Sequence, residues 1–211
     1  MRLHLIRHGH TIWNDTGGVA GRTDIDLSES GREAVRKLSR TCSVSAPPGL
    51  WYASPLLRTR ETSRLLREGI SSSGALPDVT LDNRLVELDF GDWEGLTWQA
   101  VHQQYQQEMD RWGEDWVNRS PPNGETFAQQ AARCTDWLTD MMSSEKDDQD
   151  VMVVSHGGSI RALVCYCLGW PLSRAMSFNV DPATATTLDF DRASGTFTVR
   201  KINASRLFER V

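Results

Sequence analysis

Two histidines in this chain stand in matching surroundings. Leu5-Ile6-Arg7-His8-Gly9 and Val154-Ser155-His156-Gly157 each set an imidazole between a short apolar run and a glycine. Runs of that length read as buried strands, and ligands gather at the carboxyl ends of strands in open α/β sheets. The glycine lets backbone approach a bound group closely. One strand-end histidine is commonly a satisfied structural residue. Two of them, with arginine at Arg7 and again at Arg58 in Ser54-Pro55-Leu56-Leu57-Arg58, ask for another explanation. A guanidinium fork matches phosphate oxygens and helix N-termini aim amides at anions, so the four side chains read as a phosphate pocket.

A neutral imidazole attacks phosphorus directly and splits a hard displacement into two easier ones. Arginines and a second histidine then spread the charge of the transferring group. The departing alkoxide still needs a proton. Glu87, Asp89 and Glu94 are the candidate donors, and Glu87 has apolar neighbours in Leu85, Val86 and Leu88 that would keep it protonated. These residues alone do not choose among the three. A metal site competes, because His8 and His10 form a His-x-His pair that would share a face if the strand continued. Gly9 breaks the strand there and the arginines oppose a further cation, so neither metal nor other cofactor is expected. There is no G-x-S-x-G elbow, P-loop or dinucleotide fingerprint.

The elements that would position these residues alternate strand and helix. Strands are expected at 3–6, 50–53, 79–82 and 151–154. Helices are expected at 28–40, at 54–68 with Ser54 as N-cap, and at 159–168, with a terminal hairpin at 184–190 and 196–202. The segment 84–95 is irregular, and 96–142 is helical apart from Ser120-Pro121-Pro122-Asn123-Gly124. The expected architecture is an α/β protein, a three-layer α/β/α sandwich with a largely parallel central sheet. It forms a single domain over 1–211 with a helical excursion at about 96–142.

Composition excludes several classes. The 211 residues are 39% hydrophobic and 24% charged, ordinary for a globular domain, and the net charge of -5 lacks the basic excess of nucleic-acid binding. No apolar run is long enough for a bilayer, and charge interrupts the start of the chain within eight residues, so a cytoplasmic location is expected. Cys42, Cys134, Cys165 and Cys167 form no CxxC pair and read as buried thiols; the charge run at 145–150 reads as a solvated loop. The partner these features leave is a small-molecule phosphate ester, with no nucleic acid and no membrane.

The chain resembles the histidine phosphatase superfamily, with its phosphoglycerate mutase-like fold, over nearly its whole length. The matching blocks, in the family's order, are Leu5-Ile6-Arg7-His8-Gly9-His10-Thr11-Ile12-Trp13-Asn14, Asp24-Ile25-Asp26-Leu27-Ser28, Ser54 to Thr62, Glu87 to Gly95, and Ser155-His156-Gly157-Gly158. The resemblance implies that His8 is the phosphorylated nucleophile, that Arg7, Arg58 and His156 hold the phosphoryl group, and that Glu87 is the proton donor. It further implies that Thr11 and Asn14 line the phosphate pocket and that the Gly157 backbone donates to it. His10 stands where the family often has glutamate or glutamine. Mutase members carry basic and tyrosine side chains just after the acidic residue; here Leu88, Asp89 and Phe90 follow it, which points to a phosphatase.

Within the phosphatases, the stretches 90–94, 112–116, 121–127 and 179–181 look like those of the bacterial α-ribazole phosphatases. The resemblance thus implies an α-ribazole-5'-phosphate phosphatase of cobalamin biosynthesis. The alternatives are a broad-specificity or sugar-phosphate histidine phosphatase and a non-catalytic phosphate-binding protein. Five of the eight tryptophans, Trp93, Trp98, Trp112, Trp116 and Trp137, lie in or beside the helical excursion. They suit either stacking on a flat base or packing of the helices.

Overall fold

The computed structural model describes residues 1–41, 43–44, 48–72, 75–144 and 149–207. Cys42, and parts of the loops expected at 43–49 and 145–150, lie outside the described residues. Strands β1 (Arg2–Arg7), β3 (Leu50–Ala53), β5 (Val79–Leu81), β6 (Val151–Ser155), β7 (Ala185–Asp191) and β8 (Thr196–Ala204) form one sheet in the order β5-β3-β6-β1-β7-β8. The first four run parallel, and the hairpin β7–β8 adds two antiparallel strands on the β1 side. The two-residue strands β2 (Ser43–Val44) and β4 (Ser71–Ser72) pair separately.

Alternation along the strands sorts two cores. Ile6, Trp51, Met152 and Val154 face α2 (Glu29–Arg40) and α3 (Leu57–Gly69), where Val35, Leu38, Leu65 and Leu66 meet them. Leu3, Leu5, Val151 and Val153 face α6 (Phe127–Ser144) and α7 (Gly157–Cys167), where Trp137, Leu138, Ile160 and Leu163 close over them. Helices on both faces explain why β6 is buried along its whole length. The molecule is thus a three-layer α/β/α sandwich.

Three boundaries differ from the expectations. First, α3 begins at Leu57 with Leu56 as N-cap, and Asp24 Oδ1 accepts the Leu57 amide at 2.5 Å. Ser54 is therefore not the cap. Second, α7 begins at Gly157, two residues before Ser159, with His156 as N-cap. Third, the stretch 96–142 holds two kinds of helix. Phe127, Gln130, Ala131, Cys134, Trp137, Leu138 and Met141 form the buried stripe that lays α6 on the sheet. By contrast α4 (Trp98–Gln104) buries only Val101 and α5 (Gln106–Glu114) buries no residue. Those two gather with Val19 and Trp93 into a separate small cluster. Among the described residues no helix is long and apolar enough to cross a membrane.

Candidate active site

Three adjacent strand ends meet at one edge of the sheet. The ladder pairs Arg7 with Ser155 and Ala53 with Val154, and it carries on one residue beyond the strands. The His8 amide donates to Ser155 O at 3.0 Å and the Ser54 amide to Val154 O at 3.0 Å. His8, His156 and Ser54 are therefore delivered side by side from β1, β6 and β3.

The imidazoles of His8 and His156 lie edge to face, centroids 5.1 Å apart. His8 Nδ1 is 2.7 Å from Gly9 O; a carbonyl only accepts, so Nδ1 carries the proton and a neutral ring leaves Nε2 with a free lone pair. His156 Nε2 lies 2.8 Å from Ser54 Oγ. Burial, reinforced by the Arg58 and Arg7 guanidinium groups, pushes both imidazoles well below the usual histidine range, so both are neutral at pH 7.

Arg58 is 1% exposed and spends both terminal nitrogens on backbone: Nη1 donates to Thr23 O at 2.9 Å and Nη2 to Gly21 O at 2.6 Å. Arg7 Nη1 donates to Val180 O at 2.6 Å. What remains is Arg7 Nε, Arg58 Nε and His156 Nδ1, buried and without a partner among the described residues. Each such orphan costs about 1–3 kcal/mol if left unpaired, so three on side chains grouped with His8 suit an anion.

At the start of α7 a Cβ on Gly157 would lie 3.1 Å from Arg161 Nη1 and 3.6 Å from Arg7 Cζ. Two cations thus lie close against the backbone at Gly157. Arg161, one helical turn after Gly157, is a third arginine beside the pocket, and sequence reasoning missed it; its signal was a lone cation in the otherwise apolar Ile160-Arg161-Ala162-Leu163.

The structure also separates the three candidate proton donors. Glu94 accepts the amides of Arg22, Thr23 and Phe90 at 2.7, 2.7 and 3.1 Å, besides the Thr23 hydroxyl, and so staples the loop that Arg58 grips. Asp89 accepts the Gly91 amide at 2.9 Å and pairs with Arg22 at 3.5 Å. Glu87 alone of the three accepts an amide from the start of α7, Gly158 N–H to Oε2 at 3.2 Å, and its charge acts on Arg7, Arg58 and Arg161. Its Oε1 accepts from Gln130 Nε2 at 2.9 Å and from the Leu88 amide at 3.0 Å. Leu85, Val86 and Leu88 are buried as expected, but the carboxylate itself sits among N–H donors rather than among them.

The backbone around Glu87 is pinned from three sides. Arg133 donates to Arg84 O, Val86 O and Glu87 O at 2.8, 2.7 and 3.0 Å while holding Glu125 at 2.8 Å. Ser155 Oγ donates to Leu85 O at 2.8 Å, and Ser159 Oγ to Val86 O at 2.8 Å.

Thr11 and Asn14 form the capping box of α1 (Ile12–Thr16): the Thr11 amide and hydroxyl donate to Asn14 Oδ1 at 2.9 and 3.0 Å. His10 is half-exposed and 3.8 Å from Asp15, and among the described residues no cluster of three or more side chains suits a metal ion. In the outlying cluster Trp93 is fully buried, with Trp112 edge-on at 5.6 Å; Trp98 stacks on Trp112 at 6.3 Å and stays 39% exposed.

The family model described as the histidine phosphatase superfamily (branch 1) matches residues 3–204. Phosphoserine phosphatase 1 of Hydrogenobacter thermophilus is 30% identical over 191 residues, covering 90% of this chain and 87% of that one. The adenosylcobalamin/alpha-ribazole phosphatase of Escherichia coli is 31% identical over 199 residues, covering 94% and 95%. In solved structures, the alpha-ribazole phosphatase of Shigella flexneri superimposes with a TM-score of 0.88 at 27% identity, covering all of both chains.

Proposed function

The chain belongs to the histidine phosphatase superfamily and hydrolyses phosphate esters, and we propose that it does so through phospho-His8 with α-ribazole 5'-phosphate as its substrate. In this reading His8 Nε2 attacks phosphorus while Arg7 Nε, Arg58 Nε, His156 Nδ1 and the Gly157 amide take the oxygens of the transferring group. Glu87 gives its proton to the leaving oxygen. Water then attacks the phosphohistidine, Glu87 takes the proton back, and inorganic phosphate departs.

The observation that carries the reading is the set of buried, unpaired donors around a neutral imidazole. The substrate is supported by the alpha-ribazole phosphatases among the relatives, by the lack of a cation at Leu88, Asp89 and Phe90, and by the exposed indole of Trp98. The same reading puts the enzyme in the cytoplasm, in keeping with free thiols at Cys134, Cys165 and Cys167.

Two measurements test it. Rapid quench with labelled substrate should trap an acid-labile, base-stable adduct that His8→Ala abolishes. Values of kcat/KM should rank α-ribazole phosphate above ribose 5-phosphate, phosphoserine and 3-phosphoglycerate. A flat ranking would leave a broad-specificity phosphatase. Preference for phosphoserine would make Arg161 a carboxylate grip and sink the ribazole assignment.

A further inference from the structure

Gln130 interrupts an otherwise apolar stripe of α6 at a position that is fully buried. A buried amide is costly unless it is hydrogen-bonded, and this one is only half used. Nε2 donates to Glu87 Oε1 at 2.9 Å and to Ser159 Oγ at 3.0 Å, while Oε1 has no partner among the described residues. The used half bears on Glu87, which changes state. In the proposed reaction its carboxyl is protonated before the leaving group departs, ionised afterwards, and protonated again once water has attacked. In both states Glu87 Oε1 keeps lone pairs for a donor at its side, provided the acid proton rides on Oε2.

We propose that Gln130 is a positioning residue for Glu87, its Nε2 holding Glu87 Oε1 through both half-reactions so that the acid proton rides on Oε2, free for the leaving oxygen. Ser159 Oγ takes the second Nε2 hydrogen at 3.0 Å and is itself anchored on Val86 O, a carbonyl that Arg133 Nη1 also holds at 2.7 Å. Gly158 leaves the clearance: a Cβ there would lie 2.4 Å from Glu87 Oε1 and 2.8 Å from Gln130 Oε1. Both Nε2 hydrogens are thus matched whether Glu87 is ionised or protonated, and the acid is held in one place through both half-reactions.

The inference rests on Glu87 being the general acid, and the test keeps the two apart. In Gln130→Met the side-chain length stays and the hydrogen bonds go. On an alkyl phosphate kcat/KM should fall about tenfold, the scale of one hydrogen bond to a charged group. On p-nitrophenyl phosphate, whose leaving group barely needs a proton, it should hold within about twofold. Ser159→Ala removes the oxygen that orients Gln130 Nε2 and should shift the alkyl-to-aryl ratio the same way, which keeps the question answerable if Gln130→Met does not fold. Equal losses on both esters, or none on either, would reduce Gln130 to packing and overturn the proposal. Wild-type enzyme that is as indifferent to leaving group as Glu87→Gln would strike the reading of Glu87 instead.

Discussion

In the strand-end pocket His8 is 5% exposed and Arg58 1%, and the polar atoms not aimed inward are tied largely to backbone carbonyls. In the outlying cluster Trp93, Trp98 and Trp112 hold one another through ring contacts, and α5 buries no residue. Side chains fixed to the main chain of a central sheet move only if the sheet moves. Side chains fixed to other side chains can be exchanged without disturbing the frame. In the proposed reading bond-breaking belongs to the pocket and choice of leaving group to the outlying cluster.

The division breaks most visibly at Glu87. Glu87→Gln should lower kcat/KM on alkyl phosphates by about 10² to 10⁴, the range of a positioned general acid, and much less on p-nitrophenyl phosphate. A change in substrate ranking without loss of rate would place Glu87 on the selecting side.

Acid should reach the pocket first. His8 and His156 stay neutral when folded but take up protons on unfolding below about pH 6.5. The unfolded state then binds more protons, so stability falls as pH drops below that point, by about 1.4 kcal/mol per pH unit for each ring. Together they should change the folding equilibrium about a hundredfold per pH unit. Urea midpoints at pH 7 and pH 5.5 in phosphate-free buffer measure this; equal midpoints would mean that the rings protonate in place.

The smallest effect belongs to the cluster. Trp98→Ala should cost about tenfold in kcat/KM on an ester carrying a flat base and leave ribose 5-phosphate unchanged, one stacking contact being worth about 1–3 kcal/mol. Equal losses would make Trp98 packing alone.

Much of the pocket was legible because Arg7, His8 and His156 abut apolar runs whose strand character is local. Composition and spacing did not choose among the carboxylates and only the resemblance singled out Glu87; the contacts that set it apart come from Gly158 and Gln130, 71 and 43 residues away, which spacing does not reveal. Ser54-Pro55 carries a capping signal, yet the Ser54 hydroxyl is claimed by His156 across 102 residues. Gln130 was overlooked although it stands on the same stripe as Phe127, Ala131 and Cys134, where a polar residue is itself the anomaly.

β1 lies between β6 and β7, and its neighbours are among the last strands to be synthesised. Ala183 N–H reaches back to the carbonyls of Arg7 and His8, and Val180 O takes up the Arg7 guanidinium. Once made, β1 therefore waits roughly ten to forty seconds, at typical synthesis rates, for the segment that completes it. During that interval Leu3, Leu5 and Ile6 are an unpaired apolar strand whose partners do not yet exist. The candidate site is assembled by long-range closure, so throughout that interval the nascent segment is both inactive and open to association.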